Sequence, residues 1–265
     1  MKLLITTFFI YTLFGLINGH ISKSIITVPI MSVTGGCWWF MKCYLQLLII
    51  SPALNTIKSL DDKSFMKIFA ILAFVNIIMG LVLKEDFNPD GFNLNHFIFI
   101  YFVGYALRRF KKWFDISNKC ITLLLLMSLV ISIVIGVDSI NTKAYDFFYA
   151  YNNPFIILES VCIFTLFIRA NFENKLINWI ACSALSVYLI TDESAYSRPL
   201  LVKICKNILF FNSNNIFITL AELFLLSLVI YLTCVIIDKI FNLILAAPIK
   251  LLNNMWIGLN KRQLL

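Results

Sequence analysis

Charge is scarce in this chain: only 14% of its 265 residues are Asp, Glu, Lys or Arg, against 60% hydrophobic residues and a mean hydropathy of +0.88. A soluble domain carries about a quarter charged residues because its surface must face water, so most of a water-facing layer is missing. Histidine is scarcer still. His20 and His96 are the only two, and neither has a second ligand at useful spacing, which argues against a metal centre. The seven cysteines (Cys37, Cys43, Cys120, Cys162, Cys182, Cys205, Cys234) are odd in number and form no C-x-x-C pair. They read as free thiols packing like small apolar residues. The formal charge of +8 comes with no basic helix, aromatic platform or zinc motif, so nucleic acid is not an expected partner. No soluble domain, long linker or internal repeat is visible.

What remains is apolar and blocky, including 25 Phe. A membrane-spanning helix needs about 20 apolar residues. About eight such blocks occur, at 3–17, 37–57, 65–83, 93–107, 120–137, 154–170, 176–191 and 216–238. Lipid offers unpaired backbone groups no partner, and a barrel would need alternating strands of about ten residues. The expected fold is therefore all-α, a polytopic integral membrane helical bundle of about eight transmembrane helices. It makes one membrane domain over 1–250, followed by a cytoplasmic tail over 251–265 whose approach from Phe241 suits an interfacial helix. Lys2 before a short apolar run has the form of a signal peptide. Asn18-Gly19-His20 is a poor cleavage site, however, lacking a small residue at Ile17, and the block reads as a retained helix.

Lys and Arg in short loops stay on the cytoplasmic side. Arg108, Arg109, Lys111 and Lys112 lie between the fourth and fifth blocks, and placing them inside puts most other basic residues inside too. Both termini then face the cytoplasm of a multi-pass protein in the inner (plasma) membrane, and the basic loops meet anionic membrane lipids.

Ionisable residues within spans are costly and are functional candidates by default. Lys42, Glu159 and Glu222 qualify. Each lies five or six residues from its outer helix end, roughly 8 Å deep at 1.5 Å per residue. They read as a structural ion pair that fixes helix order, as a substrate-lining cluster, or as side chains that snorkel to the interface or lie at a displaced span boundary, and Gln46 follows Lys42 by one turn.

Three segments carry a family likeness. The stretch Gly35-Gly36-Cys37-Trp38-Trp39-Phe40-Met41-Lys42-Cys43-Tyr44 ending in Ser51-Pro52-Ala53-Leu54-Asn55 resembles a signature of the acyltransferase family 3 membrane enzymes. Phe97-Ile98-Phe99-Ile100-Tyr101-Phe102-Val103-Gly104, running into Arg108-Arg109, resembles a second. Ser186-Val187-Tyr188-Leu189-Ile190-Thr191-Asp192, followed by Arg198, resembles a third. The order and spacing agree over about residues 1–250.

The resemblance implies transfer of an acyl group, commonly acetyl, from acyl-CoA to a hydroxyl of a cell-envelope polysaccharide. It implies a carbohydrate or lipid-linked glycan acceptor and no bound cofactor. Family members carry ten helices, the first bearing a histidine implicated in transfer. The blocks here match the last eight, so both leading helices are expected to be absent, and Thr191 stands where histidine is common. Asp192, Arg198 and Lys42 are then the catalytic candidates. Trp38, Trp39 and Tyr188 could stack on sugar, with Glu159 and Glu222 beside them, or pack the helices. A non-catalytic remnant, a subunit whose partner chain supplies the missing helices, and a polysaccharide polymerase or flippase are the competing readings.

Overall fold

A helix keeps all its backbone hydrogen bonds within one segment, and helix is what the apolar blocks adopt. The computed structural model describes residues 12, 16, 38–84, 88–112, 115–139, 147–170, 172–192, 197–208 and 216–262. Among them there is no strand. The elements are α1 (Trp39–Ile57), α2 (Asp62–Ala73, continued by a π-helical segment Phe74–Val82), α3 (Leu94–Arg109), α4 (Asn118–Ser139), α5 (Pro154–Arg169), α6 (Lys175–Ala181), α7 (Ala184–Thr191), α8 (Ser197–Ile208) and α9 (Ile216–Arg262). The protein is a polytopic helical membrane protein. Its large apolar side chains point outward, Phe167 being 76% and Leu243 79% exposed, as contact with lipid requires.

Among the described residues four helical stretches are long and apolar enough to cross a membrane: Trp39–Ile57, Asp62–Val82, Asn118–Gly136 and Phe217–Ile244. The expected blocks at 93–107 and 154–170 form α3 and α5, each of 16 residues. At 1.5 Å per residue these are roughly 24 Å long, less than the hydrocarbon core of about 30 Å. The block at 176–191 is broken into α6 and α7 at Cys182-Ser183, where Ser183 N donates to Ile180 O in a tightened turn. Residues 197–208, read as loop, form α8. The last helix runs past 238 to Arg262: no Gly or Pro interrupts the sequence from Ile216 to Ala247, and the helix carries on through Pro248 and Gly258. The block at 3–17 lies outside the described residues except for Thr12 and Leu16.

The chain divides into two compact units, Trp39–Phe172 and Met1–Trp38 with Glu173–Leu265. In the first unit, α2 meets α3 through a buried cluster of Phe65, Phe102, Ala106 and Phe110. Asparagine caps set the helix starts: the side chain of Asn93 accepts from Asn95 N and His96 N, and that of Asn153 from Phe155 N. Pro52 within α1 has no N–H for the Leu48 carbonyl, and the Ser51 hydroxyl bonds that carbonyl at 2.9 Å instead. In the second unit, α7 lies against α9. Buried Asp238 accepts from Ser183 Oγ (2.7 Å), Ser186 Oγ (2.6 Å) and Asn242 Nδ2 (3.0 Å), so the helix break at Ser183 also frees a hydroxyl to hold α9.

Candidate functional site

The unit Trp39–Phe172 has polar chemistry at both ends of α3. At the amino-terminal end is a cluster of amides around His96. The π-helical segment of α2 brings Asn76 inward, 1% exposed. Asn88 and Asn152, both fully buried, approach from the two neighbouring connections. Asn88 Nδ2 donates to Asn76 Oδ1 (2.9 Å), and Asn152 Nδ2 donates to Asn76 O (3.1 Å). His96 Nδ1 lies 3.1 Å from the same Asn76 Oδ1. An amide oxygen only accepts, so Nδ1 carries the proton and Nε2 keeps its lone pair. Nε2 has no hydrogen bond among the described residues.

Gly80 makes the cluster sterically feasible. A Cβ there would stand 2.7 Å from both Asn88 Nδ2 and Asn88 O, and 2.8 Å from Asn152 Nδ2. Gly91, with φ of +81°, similarly admits the Tyr151 and Asn152 backbone. Asn76 Nδ2, Asn88 Oδ1 and Asn152 Oδ1 are buried with no partner among the described residues. Each such atom costs about 1–3 kcal/mol, so a polar ligand or water reaching the cluster would find three groups ready to bond. A search of the spans for charge alone passes over Asn76, because an amide is polar without being ionisable. The available signal was one asparagine inside the apolar block 65–83.

Beside the cluster, Trp39 sits in an aromatic group with Phe92 (centroids 4.8 Å apart) and Tyr151 (5.3 Å). Lys42 is half-buried between buried Met41 and Cys43. Glu159 accepts from Ser132 Oγ (2.8 Å) and Ser128 Oγ (3.1 Å), so within this unit its carboxylate ties α4 to α5 rather than pairing with Lys42.

At the carboxy-terminal end of α3 the chemistry is basic. Arg109 is fully engaged, with Nε on Asp62 Oδ1 (2.7 Å) and its other nitrogens on Lys58 O (3.2 Å) and Leu60 O (2.6 Å). Arg108 and Lys111 instead line an open cavity of about 580 Å³, with Arg169 from α5 and Asp115. Just N-terminal along α3, an apolar cavity of about 330 Å³ runs between α2, α3 and α5.

In the other unit, Asp192 ends α7 and pairs with Arg198 of α8. Trp38 is fully buried and its Nε1 donates to Leu189 O at 3.0 Å. With no ring face open, it packs the unit rather than offering a stacking surface. Tyr188 is half-buried on α7 and Glu222 half-buried on α9. The sequence candidates are divided between the units: Lys42, Trp39 and Glu159 belong to one, and Asp192, Arg198, Trp38, Tyr188 and Glu222 to the other. Among the described residues no group of three or more His, Cys, Asp or Glu is placed to hold a metal ion.

The family model described as an acyltransferase domain matches residues 2–239. No curated protein and no solved structure shows significant similarity to the chain.

Proposed function

The chain belongs to the acyltransferase domain family and is a membrane acyltransferase, and from that premise we propose that it moves an acyl group, commonly acetyl, from acyl-CoA to a hydroxyl of a cell-envelope carbohydrate. The observation that carries this reading is the buried His96–Asn76 pair. Acyl transfer to a hydroxyl needs a base near neutral pH, and histidine is the usual one. Asn76 orients the imidazole through Nδ1, as a second partner commonly does, and leaves Nε2 to accept a proton.

In the step proposed, Nε2 takes the hydroxyl proton as the oxygen attacks the thioester carbonyl. The new C–O bond forms, the C–S bond breaks, and the departing thiolate takes the proton back from Nε2. Acyl-CoA is a substrate in this scheme, with no bound cofactor. The basic end of α3 lies on the cytoplasmic side of the inner membrane and His96 towards the outer side, where a glycan hydroxyl would arrive. Lys42, in the same unit as His96 and three residues from Trp39, is a further candidate for contact with the acceptor.

The test is transfer of radiolabelled acetyl from acetyl-CoA into envelope glycan by membranes carrying the wild type or His96→Gln. Loss of a general base lowers the rate by about 10²–10⁴-fold. His96→Gln membranes that label glycan at the wild-type rate would remove His96 from the reaction.

A further inference from the structure

Two neighbouring arginines at the end of α3 behave differently, and the difference has a chemical meaning. Arg109 is held by Asp62 and two carbonyls. Arg108, one residue earlier, is exposed and makes no hydrogen bond or ion pair among the described residues, and the same holds for Lys111 one turn on. Both face the 580 Å³ cavity, where α5 adds Arg169. Arg169 donates to Ile116 O (2.5 Å) and Asn118 Oδ1 (3.0 Å), which holds the 115–118 connection at the cavity wall.

Among the described residues Asp115 is the only carboxylate lining this cavity, so three cations face one anion there. A favourable interaction with the α3 dipole accounts for a basic residue in its last turn. The α5 dipole likewise favours Arg169 in its own last turn, but neither dipole accounts for Lys111, beyond the end of α3, facing the same cavity. Gly104 leaves the wall open, since a Cβ there would meet nothing within 4 Å.

An apolar cavity borders this one. Leu107 lines both, and Phe99, Val103, Leu107 and Phe110 lead along α3 towards the His96 end. From His96 to Arg108 is twelve residues, roughly 18 Å along a helix. A ligand matched to this shape has an anionic head and a long uncharged chain.

The geometry points to a phosphate-ester site: Arg108, Lys111 and Arg169 hold the phosphate of a ligand whose chain lies in the apolar cavity. Guanidinium groups suit phosphate because their fork donates two bonds at once. The phosphate could come from the nucleotide end of coenzyme A or from an anionic lipid headgroup. The nucleotide source rests on the acyltransferase reading, whereas the phosphate site does not.

The experiment uses the full chain in nanodiscs of zwitterionic lipid. Binding of coenzyme A is measured by equilibrium dialysis, and retention of phosphatidylglycerol by native mass spectrometry. The variants are Arg108→Gln with Lys111→Gln, and as control Lys112→Gln, which removes a charge from the same loop but does not line the cavity. The double variant is expected to weaken coenzyme A binding about tenfold or more, with the control unchanged, and wild-type binding is expected to weaken as salt rises. If coenzyme A does not bind but phosphatidylglycerol is retained and the double variant loses it, the phosphate site stands with a lipid source. If neither ligand responds more to the double variant than to the control, the proposal is overturned. Transfer activity surviving that outcome would leave the acyltransferase reading intact, and specific binding without any transfer would overturn only that reading.

Discussion

Replacing Gly80 by alanine places a methyl carbon 2.7 Å from Asn88 O, a backbone atom that cannot swing away. The same carbon would stand 2.7 Å from Asn88 Nδ2 and 2.8 Å from Asn152 Nδ2, the donors that bind Asn76. Overpacking of this kind costs about 1–3 kcal/mol, and two strained or broken hydrogen bonds add about 1 kcal/mol each. Alanine recovers about 1 kcal/mol of helix propensity. The net expectation is destabilisation by about 3 kcal/mol. Gly104 supplies an internal control, because alanine there meets nothing within 4 Å and keeps the propensity gain. The assay is unfolding of the purified protein in mixed micelles, followed by circular dichroism, for wild type, Gly80→Ala and Gly104→Ala. Equal stability of the two variants would refute the close approach of α2 to the Asn88 and Asn152 connections, and with it the buried amide cluster that orients His96.

Two further perturbations test other parts of the molecule. Asp238→Asn keeps the shape but turns one acceptor oxygen into a donor facing Ser183, Ser186 or Asn242. A loss of about 1–3 kcal/mol is expected, read as easier proteolysis between α7 and α9, and unchanged cleavage kinetics would argue against a structural role for this carboxylate. Asp61, exposed before α2, has its carboxyl held below its usual 3.8 chiefly by hydrogen bonds from Ser64. A carboxyl lowered in the folded state stabilises above its unfolded value and loses that contribution as pH falls through the folded value. Amide exchange in the first turn of α2 should therefore quicken below about pH 4. Asp61→Asn, which still caps but does not titrate, should show no such acid response, and an identical response in both proteins would assign it elsewhere.

Several levels of this protein were legible in residue order alone, because they depend on local quantities. Apolar run length against bilayer thickness placed helices in the blocks at 37–57, 65–83, 93–107, 120–137, 154–170 and 216–238. Three spaced motifs indicated the acyltransferase family, which the match over residues 2–239 establishes. Helix starts at Asn93, Asn153 and Asn174 also follow from capping chemistry.

The sites were not legible in the same way, because a site depends on which helices become neighbours. Glu159 reads in sequence as a lone intramembrane charge. Only the packing of α4 on α5 brings two serine hydroxyls to it. His96 reads as an interfacial histidine at a helix end, and Asn76 as one polar residue in an apolar block. They become a pair because a π-helical segment turns Asn76 inward and Gly80 lets two distant connections close over it. Arg108 and Arg109 are chemically identical and adjacent in sequence, yet α2 engages one while the other faces a cavity completed by α5. Sequence by itself determined the solvent this chain folds in, its helical class and its family, since burial preference and backbone satisfaction act residue by residue. Tertiary structure decided which polar groups lose water together, and that shared desolvation is what turns single side chains into candidate chemistry.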